Sequence, residues 1–381
     1  MNDVENRIYL DHNATTKPFP EVVELMSKTF VENFANPGSR HGQGRQARVP
    51  LESCRERMAE ILGAKPEEIV FTSGGTESIN MAIFGFVGEK PGTIALTAGE
   101  HPATIESCGH IKSRGWKLHN LQVDSRGLLI EDQYDRLPWA ELKLVTVILA
   151  HNETGVIQDM TRLSELCREH RIPLHLDAVQ AAGKIPVDFR KLGVTAMSVG
   201  AHKFYGPRGV GALILKEGTP LRNRLFGGHQ ENGIRPGTEP VALIVGMTKA
   251  LEMFHENCEE RIDRISALRN RLQDGLKQKC EPVVVNGEDS PRLPNTLNIS
   301  FPGLEGESLL VAFDLAGISC SLGSTCSSGA SEPAPSLIAM GCSEEVYKSA
   351  VRFSVGIGNT EEEIDQAIER IATVVTQQRS L

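Results

Sequence analysis

Short apolar runs alternate with amphipathic stretches through the first two thirds of the chain. Residues 68–72 (Glu-Ile-Val-Phe-Thr) read as a strand, and 76–86 as a helix with Ile79, Ala82, Ile83 and Phe86 on one face. Residues 93–97 predict another strand. The near-continuous apolar run 142–150 predicts a strand covered on both faces. A helix over 161–170 leads into a strand over 172–176, and 196–199 and 210–215 predict two more. Strands separated by helices imply a mostly parallel α/β sheet.

The rhythm changes near Val241. A long, charge-laced helical stretch runs over 241–279, then a strand over 295–301 and a helix over 307–316. A loop of small residues spans 321–335, and a strand follows over 351–355. The last helix opens with Thr360 and Glu363 at capping-box spacing. This pattern predicts a smaller α+β domain. The expected division is 18–245 for the large domain, with 1–17 and 246–381 forming the small one. The first residues, up to about Pro18, are expected to pack against the small domain or the functional site. No internal repeat, low-complexity segment or flexible linker is evident.

Composition narrows the function classes. A chain of 381 residues with 40% apolar content can bury a large core. The formal charge of -9 and pI near 5.7 argue against electrostatic binding of nucleic acid or membrane. No apolar run is long enough to span a bilayer. The start, Met1-Asn-Asp-Val-Glu-Asn-Arg7, lacks the basic and apolar regions of a signal peptide, so a cytoplasmic location is expected. The eight cysteines include no C-x-x-C pair, which signals neither a disulfide scaffold nor a zinc site. Most are expected to be buried thiols.

Chemistry-bearing residues cluster after the strands. Lys203, in Ser198-Val-Gly-Ala-His-Lys203, is followed by the turn Phe-Tyr-Gly-Pro207 and a strand. A lysine held in such a turn can form a Schiff base with an aldehyde cofactor, although most lysines are merely solvated. Ser73-Gly-Gly-Thr76 lies between strand and helix, so Gly75 and Thr76 can present amides to a phosphate; a plain βα turn reads the same way. Asp177 ends a strand and can pair with a protonated pyridine nitrogen, or cap a helix. Gln180, one turn on, can reach a ring oxygen. His101 follows another strand and can stack on an aromatic cofactor and handle protons, or make a structural bond. Asn152, in His151-Asn-Glu-Thr-Gly155, can contact the cofactor or a substrate carboxylate. Arg352, a charge in an apolar strand, suits a carboxylate or a structural salt bridge. Cys326 sits among small residues between Gly323 and Gly329, a setting for an exposed nucleophile or an incidental thiol.

Taken together, these segments resemble the cysteine desulfurases of the class V aminotransferase group, pyridoxal-phosphate enzymes of fold type I. The match starts at Tyr9-Leu-Asp-His-Asn-Ala-Thr-Thr16 and Asn36-Pro-Gly-Ser-Arg-His41. It continues through Thr72-Ser-Gly-Gly-Thr-Glu-Ser78, Gly99-Glu-His-Pro102, His151 to Gly155, and Asp177-Ala-Val-Gln180. Ala201-His-Lys-Phe-Tyr-Gly-Pro207, Arg235-Pro-Gly-Thr238, Gly323-Ser-Thr-Cys-Ser-Ser-Gly329 and Val351-Arg-Phe-Ser354 complete it. The resemblance implies a large domain built on a mostly parallel seven-stranded sheet and a smaller C-terminal α+β domain. It implies pyridoxal 5'-phosphate on Lys203, with His101 stacked on the ring and Asp177 and Gln180 on its nitrogen and phenolic oxygen. Gly75, Thr76 and His202 would hold the phosphate, and Thr238 that of the neighbouring subunit in a homodimer. Asn152 and Arg352 would bind the carboxylate of L-cysteine, and Cys326 would take its sulfur, on a long loop like that of the NifS/IscS-like group. The persulfide would pass to an acceptor protein such as an iron–sulfur scaffold.

Two departures stand out. Family members often have a phosphate-binding serine two residues before the His-Lys pair. Here Gly200 occupies that place and Ser198 lies further upstream, which implies weaker or rearranged phosphate binding. The chain stops at Gln377-Gln-Arg-Ser-Leu381, short of the tail that some members use to dock a scaffold, which leaves the partner open. Selenocysteine lyase, or a cysteine lyase that releases sulfide directly, would share the cofactor residues; only the Cys326 loop argues against them. A non-catalytic partner in sulfur transfer is a third reading, against which the full catalytic set stands.

Overall fold

The structure is a computed structural model that describes residues 7–322 and 334–380. Thirteen strands occur among the described residues: β1 (Ile8–Tyr9), β2 (Ile69–Thr72), β3 (Thr93–Thr97), β4 (Lys117–Leu121), β5 (Leu142–Ile148), β6 (Leu174–Asp177), β7 (Ala196–Gly200), β8 (Gly211–Leu215), β9 (Val284–Val285), β10 (Thr296–Ser300), β11 (Ile318–Ser319), β12 (Ser321–Leu322) and β13 (Ala350–Ser354). Seven form the main sheet, in the order β2-β8-β7-β6-β5-β3-β4. Only β8 runs against its neighbours. The mostly parallel seven-stranded sheet is as expected.

Most of these strands are buried along their whole length, as when helices cover both faces. β5 exposes Lys143, and β4, Lys-Leu-His-Asn-Leu, is an edge strand with a largely exposed, polar surface. It lacks the apolar signature, so the pattern gave no expectation for it. The expected helix over 241–279 is two helices, Val241–Glu256 and Cys258–Lys279, which part at Asn257. Asn257 leaves helical geometry (φ -129°, ψ 33°), and asparagine is a residue that favours helix ends.

A second, four-stranded sheet has the order β12-β13-β10-β9, all antiparallel, and a short parallel pair joins β1 to β11. Two large apolar cores result. One gathers around Phe71, Val145, Leu176 and Val199 and takes in Met247 and Leu251. The other holds Phe301, Phe313 and Phe353 with Ile8, Leu10, Leu272 and Ile368. The N-terminal strand therefore packs into the second core, and the residues after it cross to the main sheet. The closing helix Glu361–Arg379 has its capping box: Glu363 N donates to Thr360 Oγ1, and Thr360 N to Glu363 Oε2. Among the described residues, no helix is long and apolar enough to cross a membrane.

Parallel strands decide where function collects. Thr72, Thr97, Ile148, Asp177 and Gly200 end strands that run the same way, so the segments after them emerge on one edge of the sheet.

Candidate active site

A cavity of about 540 Å³ lies on that edge. Gly75, Thr76, His101, Asp177, His202 and Lys203 all line it, although they come from four separate strand ends.

At one side the helix Gly75–Phe86 points its N-terminus at the cavity with no side chain capping it. Free amides and the helix dipole make this end attractive to a phosphate. Gly75 is required for packing: a Cβ there would stand 2.6 Å from Val179 Cγ2, in the turn after Asp177. Glu77 braces the turn, accepting from Ser73 N and from Arg235 Nε at 2.9 Å. His202 Nδ1 lies 3.2 Å from Thr15 Oγ1, and burial lowers this imidazole to about 4, so it is neutral. Ser198 is not a substitute for the serine missing at position 200. It is fully buried within β7, with its Oγ 2.9 Å from His175 Nε2.

Asp177 is 2% exposed and accepts from Val179 N at 2.9 Å. Burial pushes its carboxyl up, opposed by the nearby His101 and Lys203. A cationic ring nitrogen would reverse that penalty. His101 caps the helix Pro102–Lys112, accepting from Ala103 N through Nδ1 at 3.1 Å, so its structural bond and its place in the cavity coexist. Burial lowers its pKa as well.

Lys203 sits in a single 3-10 turn directly after β7. Its Nζ donates to the carbonyls of Asn13 (2.7 Å) and Ala14 (2.9 Å). Burial, then the field of Arg352, lowers this amine to about 8, against the opposing pull of Asp177 and Asp11. A half-buried, acidified lysine is suited to carbonyl chemistry.

Gln180, Asn152 and Arg352 join the site through Asn13, a residue the sequence placed in a motif but gave no role. Gln180 Nε2 donates to Asn13 O at 2.9 Å. Asn13 Nδ2 donates to the Asn152 carbonyl at 3.2 Å, and Arg352 Nη1 to the same oxygen at 3.1 Å. Arg352 also pairs with Asp11 at 2.7 Å, so it is in part the structural salt bridge that its strand setting allowed. Its Nε and the Asn152 Oδ1 are buried without a partner among the described residues. The open Arg352 Nε is a donor of the kind an amino-acid carboxylate takes, whereas Asn152 Oδ1 is an acceptor and suits a donor.

Thr238 is not in this cavity; it is exposed on the segment after Arg235. Cys326 lies outside the described residues. The chain on either side of its segment is near the site: β12 pairs Ser321 with Arg352, and Ser336 donates its hydroxyl to Glu153, next to Asn152. The other cysteines behave as expected of core thiols where buried; burial raises Cys167 to about 12. No cluster of metal-binding side chains occurs among the described residues.

The residues present fit pyridoxal 5'-phosphate: an uncapped helix end for the phosphate, a buried carboxylate for the ring nitrogen, and an acidified lysine between them. A sequence profile described as aminotransferase class-V matches residues 8–367. The chain is 39% identical over 381 residues to a cysteine desulfurase IscS of Dictyoglomus turgidum, covering 99% of this chain and 97% of that protein. It is 41% identical to a cysteine desulfurase IscS of Vibrio campbellii, covering 98% and 94%. A solved structure described as a NifS-like protein superposes with a TM-score of 0.90 at 35% identity, over 97% of this chain and all of that one.

Proposed function

The chain belongs to the aminotransferase class-V family, and from that premise we propose that it is a pyridoxal-phosphate-dependent cysteine desulfurase. It converts L-cysteine to L-alanine and moves the sulfur to Cys326. The observation that carries this reading is Lys203, acidified and aimed into a cavity that also holds Asp177 and an open helix N-terminus. The full-length relatives bear the desulfurase name, which disfavours the lyase alternatives.

When bound, the cofactor withdraws electrons from the substrate Cα and so makes its proton and its neighbouring C–S bond labile. The chain supplies the rest. Gly75, Thr76 and His202 hold the phosphate, Asp177 the ring nitrogen, Gln180 the ring oxygen, and His101 covers the ring. Arg352 and Asn152 take the substrate carboxylate. Lys203 carries the Cα proton. The Cys326 thiolate attacks the substrate sulfur, so the C–S bond breaks and an S–S bond forms; the carbon is reduced to alanine as the sulfur is oxidised to a persulfide.

A homodimer is part of this proposal. It is supported by Thr238, exposed and outside its own cavity, and by the exposed apolar side chains of Phe34 and Phe226. The two apolar cores support a large domain over 18–245 and a small one over 1–17 and 246–381, although the larger core also takes in Leu251 and Leu293. A cytoplasmic location and a protein acceptor of the persulfide, such as an iron–sulfur scaffold, complete the reading.

The test compares cofactor-loaded wild type with Cys326→Ala, each given L-cysteine, with alanine and protein-bound persulfide measured. Both products from the wild type and neither from the variant are expected. Alanine at the wild-type rate from the variant would remove Cys326 from the mechanism.

A further inference from the structure

One buried cation in the site has no role yet. Lys184 is 7% exposed, and its Nζ donates to Asn13 Oδ1 at 2.7 Å and Gln180 Oε1 at 2.5 Å. Among the described residues it has no carboxylate partner at ion-pair distance. Burial and the fields of Lys203 and Arg352 push its ammonium well below the ordinary lysine range. Burial lowers His12 and His202 to about 4, and the field of Lys184 adds to that lowering in both. A side chain this costly to bury without a counter-charge needs a reason.

Its position is fixed by the backbone. Lys184 lies in the turn after Gln180, where Lys184 N donates to Ala181 O at 3.1 Å. The preceding Gly183 has φ +72°, and a Cβ there would stand 2.3 Å from Phe204 Cβ, the neighbour of Lys203. The turn is thus packed against Phe204, the residue that follows Lys203.

The hydrogen bonds define what Lys184 does. The carbonyl oxygens of Asn152 and Asn13 can only accept. Asn13 must therefore turn Nδ2 toward Asn152 O, and Gln180 must turn Nε2 toward Asn13 O. Both amide oxygens then face one point, where Lys184 supplies a donor to each. Asn13 Oδ1 also accepts from Asn295 Nδ2 at 2.9 Å, so without Lys184 it is the Gln180 oxygen that loses its donor, and the Gln180 amide loses one of its two fixed ends.

We propose that Lys184 is a positioning residue for the cofactor: it locks the Gln180 carboxamide with its N–H group toward the ring oxygen and favours the ionised form of that oxygen. This rests on the cofactor assignment made above. An anionic ring oxygen held by Gln180 would favour the protonated Lys184 that burial opposes, and by linkage a protonated Lys184 favours that anion. Asp177 and Asp11 act on Lys203, and neither is paired to Lys184.

The experiment is a pH titration of the visible absorbance of cofactor-loaded wild type, Lys184→Met, Gln180→Met and the double variant, with folding checked by thermal melting. The midpoint is expected to rise by about one pH unit in Lys184→Met, to rise in Gln180→Met, and to rise by less than the sum of the two in the double variant. A wild-type midpoint in folded Lys184→Met would overturn the inference, because a merely structural lysine changes the melting temperature alone. Additive shifts would overturn it too, since Lys184 would then act without Gln180. If the methionine variant does not fold, Lys184→Gln, neutral but polar, is expected to raise the midpoint as well; an unmoved midpoint there has the same negative meaning. A wild type that develops no visible band would overturn the cofactor assignment itself, and this inference with it.

Discussion

The acidity of Lys203 leads to a quantitative expectation. An ordinary lysine near 10.4 has about one amine in 2,500 unprotonated at pH 7. At about 8, the value in this fold, roughly one in ten is free. The cofactor-free protein is therefore expected to capture pyridoxal phosphate roughly 200-fold faster at pH 7 than an unperturbed lysine of equal access. The assay is the rate at which visible absorbance appears after mixing, over a range of pH, with a free lysine derivative run in parallel to remove the aldehyde's own titration. Since the folded pKa is lowered, the rate should climb tenfold per pH unit and flatten as pH passes about 8. Lys203→Ala serves as the blank. Arg352→Gln removes the cation that ranks second to burial and leaves Asp11 without its partner at 2.7 Å. Both changes favour the protonated amine, so the bend should move to higher pH. A rate that climbs steadily through pH 8 and beyond would refute the acidified lysine, and a bend unmoved in Arg352→Gln would refute the field of Arg352 as a cause.

Two further outcomes are expected. A Cβ at position 200 would stand 3.4 Å from Gly75 N and 3.5 Å from Val179 Cγ1, so Gly200→Ser fits and brings a hydroxyl beside the phosphate-facing helix end. It should tighten cofactor affinity by about tenfold, one hydrogen bond to a charged group; an equilibrium titration of the cofactor-free protein reads this, and weaker binding would contradict the placement. Glu100, with Oε2 unpartnered among the described residues and its carboxyl pushed up to about 8 by burial, favours the folded state at low pH and loses that contribution as pH rises through about 8. Denaturant unfolding at pH 5 and pH 8 should show the wild type losing more stability than Glu100→Gln, by about 3.5 kcal/mol at most; equal losses would place the pH dependence elsewhere.

Much of the site was legible because its residues follow strand ends. Gly75, His101, Asp177 and Lys203 each come after an apolar run, and parallel strands deliver such positions to one edge. The helices before Ile69, Pro20–Glu32 and Gly42–Leu62, drew no expectation from the apolar pattern, and neither did β4. Their signals were diluted by polar and exposed residues. Arg352 illustrates a mixed outcome: its strand setting allowed either a ligand or a salt bridge, and the fold makes it both paired to Asp11 and open at Nε.

The sequence by itself determined the order of strands and helices, the residues at the strand ends and the family they match. These depend on apolar periodicity and turn chemistry, which act over a few residues. Only the tertiary structure decided the acidity of Lys203, the burial of Lys184 and the place of Asn13 between them. Asn13 lies 171 positions from Lys184 and 190 from Lys203 along the chain. A pKa or the facing of an amide is set by desolvation and by partners brought in from such distances, and a local pattern carries neither.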